Sequence, residues 1–305
     1  MEKFKEILNS EHAGFTGYTH WLIATMLFFI MWLIPLEISK EYVQAISSNK
    51  IFTIMIFFVI GGASLLPDLD SSPLEEGGST AVYQLGFLGN SLSILCITIS
   101  GIIYTLFHTK YDNKPKSQHR MLFHTLFLPL LFLIYTKYKI PDSLESTLWS
   151  NKDLIIRNKI LDVTYLPMLL IIFLGSISVY LGGTMIIYKI LKIFGKHRYT
   201  QFVCLAMFVF SVIYMLNMPY QQLKLVGVSI SLGYIFHVLA DVFSKGSSPI
   251  LFPIPIIIKS HITLWHKPYL LGNSDFAITT GSIVNTILNF VLMGVDLTLG
   301  YFLFI

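Results

Sequence analysis

The chain has 305 residues, 54% of them hydrophobic and only 12% charged, with a mean hydropathy of +0.68. A soluble core cannot absorb so much apolar surface, and the apolar residues come in long blocks near the roughly 20-residue length that a bilayer asks of a helix. The formal charge of +4 is dispersed over short loops, which argues against nucleic acid as a partner.

In chain order the blocks predict membrane segments at about 20–37, 51–67, 84–107, 121–136, 164–191, 200–218, 225–243 and 277–305. Stretches such as "GSISVYLGG" and "VGVSISLGY" would read as strands in water. In lipid a helix is expected instead, because it satisfies its own backbone hydrogen bonds. No period of 20–50 residues repeats, so residues 1–305 read as a single integral membrane domain. The first residues mix Lys3 and Lys5 with Glu2, Glu6 and Glu11 without a small-residue cleavage pattern, and no removable signal peptide is expected. Cys96 and Cys204 both lie inside apolar blocks, without metal-type spacing, and imply no disulfide framework.

Ionisable residues at or inside such segments are costly and mark function by default. The first block opens on His20 in "GYTHWLI", with His12 a weaker competitor several residues ahead. The second ends in "LLPDLD", where Pro67 stops the segment and Asp68 and Asp70 offer hard oxygen donors to one cation. A solvated turn would be the plain alternative. "HRMLFHTL" puts His119 and Arg120 just ahead of a block and His124 one turn inside it. "GYIFHVLADVF" places His237 and Asp241 four apart in an uncharged run, hence on one helix face. Each could be a packing group or a hydrogen-bonded pair that only joins helices. As a set, His20, Asp68, Asp70, His119, His124, His237 and Asp241 fit a zinc-class or manganese-class site of imidazole and carboxylate donors. The proline-rich apolar loop at 244–276 would dip into the headgroup zone as a lid over that site.

Ligands of one ion must meet on one side of the membrane. Full crossing by 84–107 would put His119 opposite Asp68 and Asp70, so convergence calls for about seven transmembrane helices plus one re-entrant or interfacial segment, broken at "GFLGN" or at Gly101. The distribution of basic residues then favours a cytoplasmic face for the site, and the cell membrane is the expected location.

The same residues carry a resemblance. "TH" at 19–20, "LLPDLD" at 65–70, "HRMLFHT" at 119–125 and "GYIFHVLAD…KGSSPILFP" at 233–253 follow in order the motifs of the YdjM-like family of membrane-bound, metal-dependent hydrolases. "GNSD" at 272–275 resembles a further family element, with Asp275 one residue out of step, and Ser71 stands where the family often has histidine. The family's remote similarity to zinc-dependent phospholipase C enzymes implies phosphoester hydrolysis.

The expectation is therefore an all-α polytopic membrane hydrolase holding one to three divalent ions, zinc or manganese, and acting on a phosphoester or other ester of a lipid or amphiphile. Asp70 is the expected general base, and Arg120 suits a forked contact to a phosphate or carboxylate. A divalent-metal or proton-coupled transporter is the alternative, although most candidates sit near segment ends rather than at the midplane. A structural protein with packing histidines is a third. No H-E-x-x-H supports a zinc peptidase.

Overall fold

The computed structural model describes residues 17–34, 37–47, 49–70, 84–108, 122–139, 166–242, 251–254, 256–258, 261–263 and 283–304. They form α1 (Gly17–Leu33), α2 (Glu37–Ser47), α3 (Lys50–Ala63), α4 (Phe87–Phe107), α5 (Phe127–Lys139), α6 (Leu166–Ile193), α7 (Thr200–Leu216), α8 (Tyr220–Val242) and α9 (Ile283–Phe304). Three short 3-10 turns, Pro67–Asp70, Leu122–His124 and His197–Tyr199, interrupt the helical order. β1 (Ile256–Ile258) and β2 (His261–Thr263) pair antiparallel as a hairpin. Lys50–Asp70, Phe87–Phe107, Leu166–Ile193 and Tyr220–Asp241 are long and apolar enough to cross a membrane, and shorter apolar helices cover Gly17–Leu33, Phe127–Tyr138, Thr200–Leu216 and Ile287–Leu299.

Every apolar block of the sequence contains a helix, with three departures. The stretch 38–50 between the first two blocks, expected as a loop, holds most of α2, whose Tyr42 and Ile46 are buried one turn apart while Lys40, Gln44 and Ser47 are exposed. That is the pattern of a helix with one face on the protein and the other in water. Secondly, the fourth block does not begin as a helix. His124 closes a 3-10 turn, and α5 starts only at Phe127. The third departure is α4, which runs unbroken through Gly101; of the two expected break points the chain turns at "GFLGN", on Gly86, whose φ of 56° suits a residue without a side chain.

The chain forms two compact units, one of residues 1–26, 64–129 and 234–305 and the other of 27–63 and 130–233. In the second, α3 and α6 cross at Gly62, where a Cβ would run into the Ser178 carbonyl. Lipid provides no hydrophobic drive between helices, so such close backbone approach is what joins them. Gly233 of α8 likewise sits against the Ile60 carbonyl of α3. α6 ends at Gly195 (φ 67°), where Lys196 N–H bonds the Leu191 carbonyl and Gly195 N–H that of Lys192.

In the first unit, α4 carries the turns Pro67–Asp70 and Leu122–His124 against it and against each other. Its inward face is small and polar, with Gly89, Ser93, Cys96 and Ser100 buried. Outward it presents Phe87, Ile94, Leu95, Ile102 and Leu106, an apolar exterior of the kind lipid accepts and water does not. Phe252, from the loop before β1, packs on Leu122 with Ile103 and Tyr104 alongside. It also meets Phe107 and Phe127 edge-on.

Candidate metal centre

Five of the expected ligands, His20, His124, His237, Asp70 and Asp241, are at most 1% exposed, and Asp68 is 14% exposed. All lie in the first unit. α1 supplies His20 from its first turn, and the turn after Pro67 supplies both aspartates. The Leu122–His124 turn supplies His124, and the last two turns of α8 supply His237 and Asp241 on one face. His119 and Arg120 fall outside the described residues, as do Asp275 and most of the 244–276 loop.

α4 need not be broken for Asp70 and His124 to meet, because both turns pack along that one helix. The residues between Asp70 and α4, 71–83, lie outside the described residues.

The geometry orders the donors. Nδ1 of His237 is 2.6 Å from the Ser64 carbonyl. A carbonyl only accepts, so Nδ1 carries the proton and Nε2 presents its lone pair to the cluster. That Nε2 is buried with no hydrogen-bond partner among the described residues. It stands 3.6 Å from Asp68 Oδ1 and 3.6 Å from Asp241 Oδ2, while His124 Nε2 stands 3.5 Å from each of the same two oxygens.

Each of the two nitrogens thus stands 3.5–3.6 Å from each of the two oxygens. Two donor groups are compact enough for an ion, His20–His237–Asp241 and Asp68–His124–His237. Both require the single Nε2 lone pair of His237, so one ion can use it at a time.

The remaining polar groups stand behind this quartet. His124 Nδ1 faces Asp70 Oδ2 at 3.4 Å, and His20 Nε2 faces Asp241 Oδ1 at 3.4 Å with its ring stacked on His237, centroids 3.7 Å apart. Tyr234, one turn before His237, donates its hydroxyl proton to the Phe123 carbonyl and so ties α8 to the turn that carries His124. Glycine at position 233 lets α8 lie close to α3, and His237 follows one turn later.

Three carboxylates crowd three imidazoles here. Asp68, Asp70 and Asp241 each bring a carboxylate oxygen within 3.5 Å of a ring nitrogen of His124. The cluster draws in positive charge. Its donor chemistry, spacing and charge all fit a divalent cation.

No family model, curated protein or solved structure matches the chain.

Asp296 was missed in the sequence. It lies inside the last apolar helix, is 9% exposed, and meets the same criterion of an ionisable residue within an apolar run that singled out His237 and Asp241.

Proposed function

We propose that the protein is a membrane-embedded, metal-dependent hydrolase acting on a phosphoester or other ester of a lipid or amphiphile at the membrane surface. The observation that carries this reading is the quartet of Asp68 Oδ1, Asp241 Oδ2, His124 Nε2 and His237 Nε2 with separations of 3.5–3.6 Å. His237 with Asp68 and His124, and Asp241 beside them, would hold one divalent ion, zinc by donor type. When bound, such an ion supplies a Lewis acid and an activated water.

The chain's own residues do the rest. The Ser64 carbonyl fixes the tautomer and ring plane of His237. Asp70, expected as both ligand and general base, stands in this reading behind His124 and holds its Nδ1 proton. His20 moves from ligand to the partner of Asp241 Oδ1, where it steadies that carboxylate. Asp68, the carboxylate of the cluster with exposed surface, marks the side from which substrate and water arrive. Arg120, following the resemblance to the YdjM-like family, takes the substrate's anionic group with its forked donors. His119 remains a further candidate ligand on the same ground. About seven full crossings and a cytoplasmic-facing site complete the proposal.

The transporter alternative has the cluster's depth in its favour, since His124, His237, Asp70 and Asp241 are wholly buried. The test is metal content and hydrolysis on one preparation. Detergent-solubilised protein should carry stoichiometric zinc and cleave a chromogenic phosphodiester or ester amphiphile in mixed micelles, with chelation abolishing and zinc restoring turnover. Stoichiometric metal with no cleavage across a panel of phosphate and carboxylate esters, together with metal flux into vesicles, would replace the enzyme by the transporter.

A further inference from the structure

Asp296 lies in α9, a helix whose neighbouring residues are apolar, and its Oδ2 is 2.7 Å from Thr25 Oγ1 of α1. Its Oδ1 is buried and has no hydrogen-bond partner among the described residues. Thr25 has one hydroxyl proton and three oxygens around it, Asp296 Oδ2 at 2.7 Å, the Trp21 carbonyl at 3.0 Å and the Leu22 carbonyl at 3.1 Å.

Counting protons separates the two states of the acid. An ionised Asp296 would take Thr25's proton as its one donor and leave Oδ1 bare in an apolar setting, the costliest arrangement for a carboxylate. A protonated Asp296 donates its O–H to Thr25 Oγ1, and Thr25 donates in turn to the Trp21 or Leu22 carbonyl. Each proton then has an acceptor, and the uncharged Oδ1 is far cheaper to leave without one. A metal cation does not fit, because hard cations take about six oxygen ligands and among the described residues only a carboxyl and a hydroxyl converge here.

From this geometry we propose that Asp296 is a proton-binding site, a neutral carboxylic acid at neutral pH that latches α9 to α1 and unlatches it when the proton leaves. The titratable group facing it from α1 is the phenol of Tyr18. No lysine, arginine or histidine among the described residues pairs with it. The site is separate from the metal centre, since Thr25 follows His20 by five residues and lies about 140° round the helix from it. It therefore stands whether or not the hydrolase reading does.

Infrared spectroscopy on the full chain in detergent across about pH 5–10 tests it directly. The wild type should show a protonated-carboxyl C=O band that is missing from Asp296→Asn and disappears reversibly as pH rises. Thr25→Val should shift that band by removing its hydrogen-bond acceptor, which assigns it even if the Asp296 variant folds poorly. Asp296→Asn, whose amide still donates to Thr25, should keep wild-type thermal stability and lose its dependence on alkaline pH. A wild-type spectrum with no acid carbonyl band at neutral pH, or a band unmoved by both substitutions, overturns the proposal.

Discussion

Asp70→Ala separates a carboxylate that binds the ion from one that positions a ligand. In the structure Asp70 Oδ2 faces His124 Nδ1 at 3.4 Å, while the other ring nitrogen, Nε2, points at Asp68 and Asp241 at 3.5 Å. Removing Asp70 leaves the quartet intact but frees the ring of His124 to turn and lowers its basicity. Outer partners of this kind are worth about 10–100-fold in metal affinity, or about 1.4–2.7 kcal/mol. Asp241→Asn is different in kind, because Asp241 Oδ2 makes two of the four contacts of 3.5–3.6 Å, and His237→Ala removes the other end of one of them. Both should purify without stoichiometric metal, whereas Asp70→Ala should purify metal-loaded and release it to a competing chelator at about 10–100-fold lower chelator strength. Elemental analysis of monodisperse protein followed by chelator titration reads both quantities. If Asp70→Ala loses metal as completely as Asp241→Asn, Asp70 is a ligand and the four-donor assignment fails. Full metal content in Asp241→Asn and His237→Ala would instead make them a structural pair.

Gly62→Ala should destabilise the α3–α6 crossing by about 1–3 kcal/mol, because the new Cβ meets the Ser178 backbone and not a side chain that can move aside; thermal unfolding in detergent measures it. Tyr234→Phe should cost about 0.5–1.5 kcal/mol by leaving the Phe123 carbonyl without its donor, and should weaken metal retention as the His124 turn loosens; an unchanged chelator titration would remove Tyr234 from the support of the site. Arg120→Lys should retain metal and lose turnover, since the ammonium keeps the charge without the fork; equal loss of both would place it with the ligands. Single cysteines replacing Ser72 and Lys116 should label from the same side of a sealed vesicle, and labelling from opposite sides would rule out a common site for Asp70 and His119.

Much of the site was legible because its residues break a simple rule. Charge is scarce in this chain, so His20, the Asp68–Asp70 pair, His124, and the His237–Asp241 pair stood out against apolar runs. The spacing of four that predicts a shared helix face for His237 and Asp241 is realised on α8. Asp296 broke the same rule and was passed over, although "GVDLTLG" inside an apolar helix carries the same signal. The helix α2 was readable too, from Tyr42 and Ile46 one turn apart with Lys40, Gln44 and Ser47 off that face, but its hydrophobicity is local and weak beside the long blocks that flank it.

The sequence by itself determined the class of molecule, the positions of its apolar helices and the chemistry of its donors, because these depend on composition and on periodicity along the chain. Only the tertiary structure decided what each donor does. Which nitrogen of His237 is free depends on the carbonyl of Ser64, 173 residues away, and the division of the aspartates depends on which ring nitrogen of His124 each one faces. The path that brings Asp70 to His124 depends on two turns packing along one α4, which runs unbroken through Gly101, where sequence reasoning offered a break, and turns only at Gly86, the first residue of "GFLGN". Local pattern cannot carry such information, because these are distances between residues whose separation in the chain is far longer than any helical period.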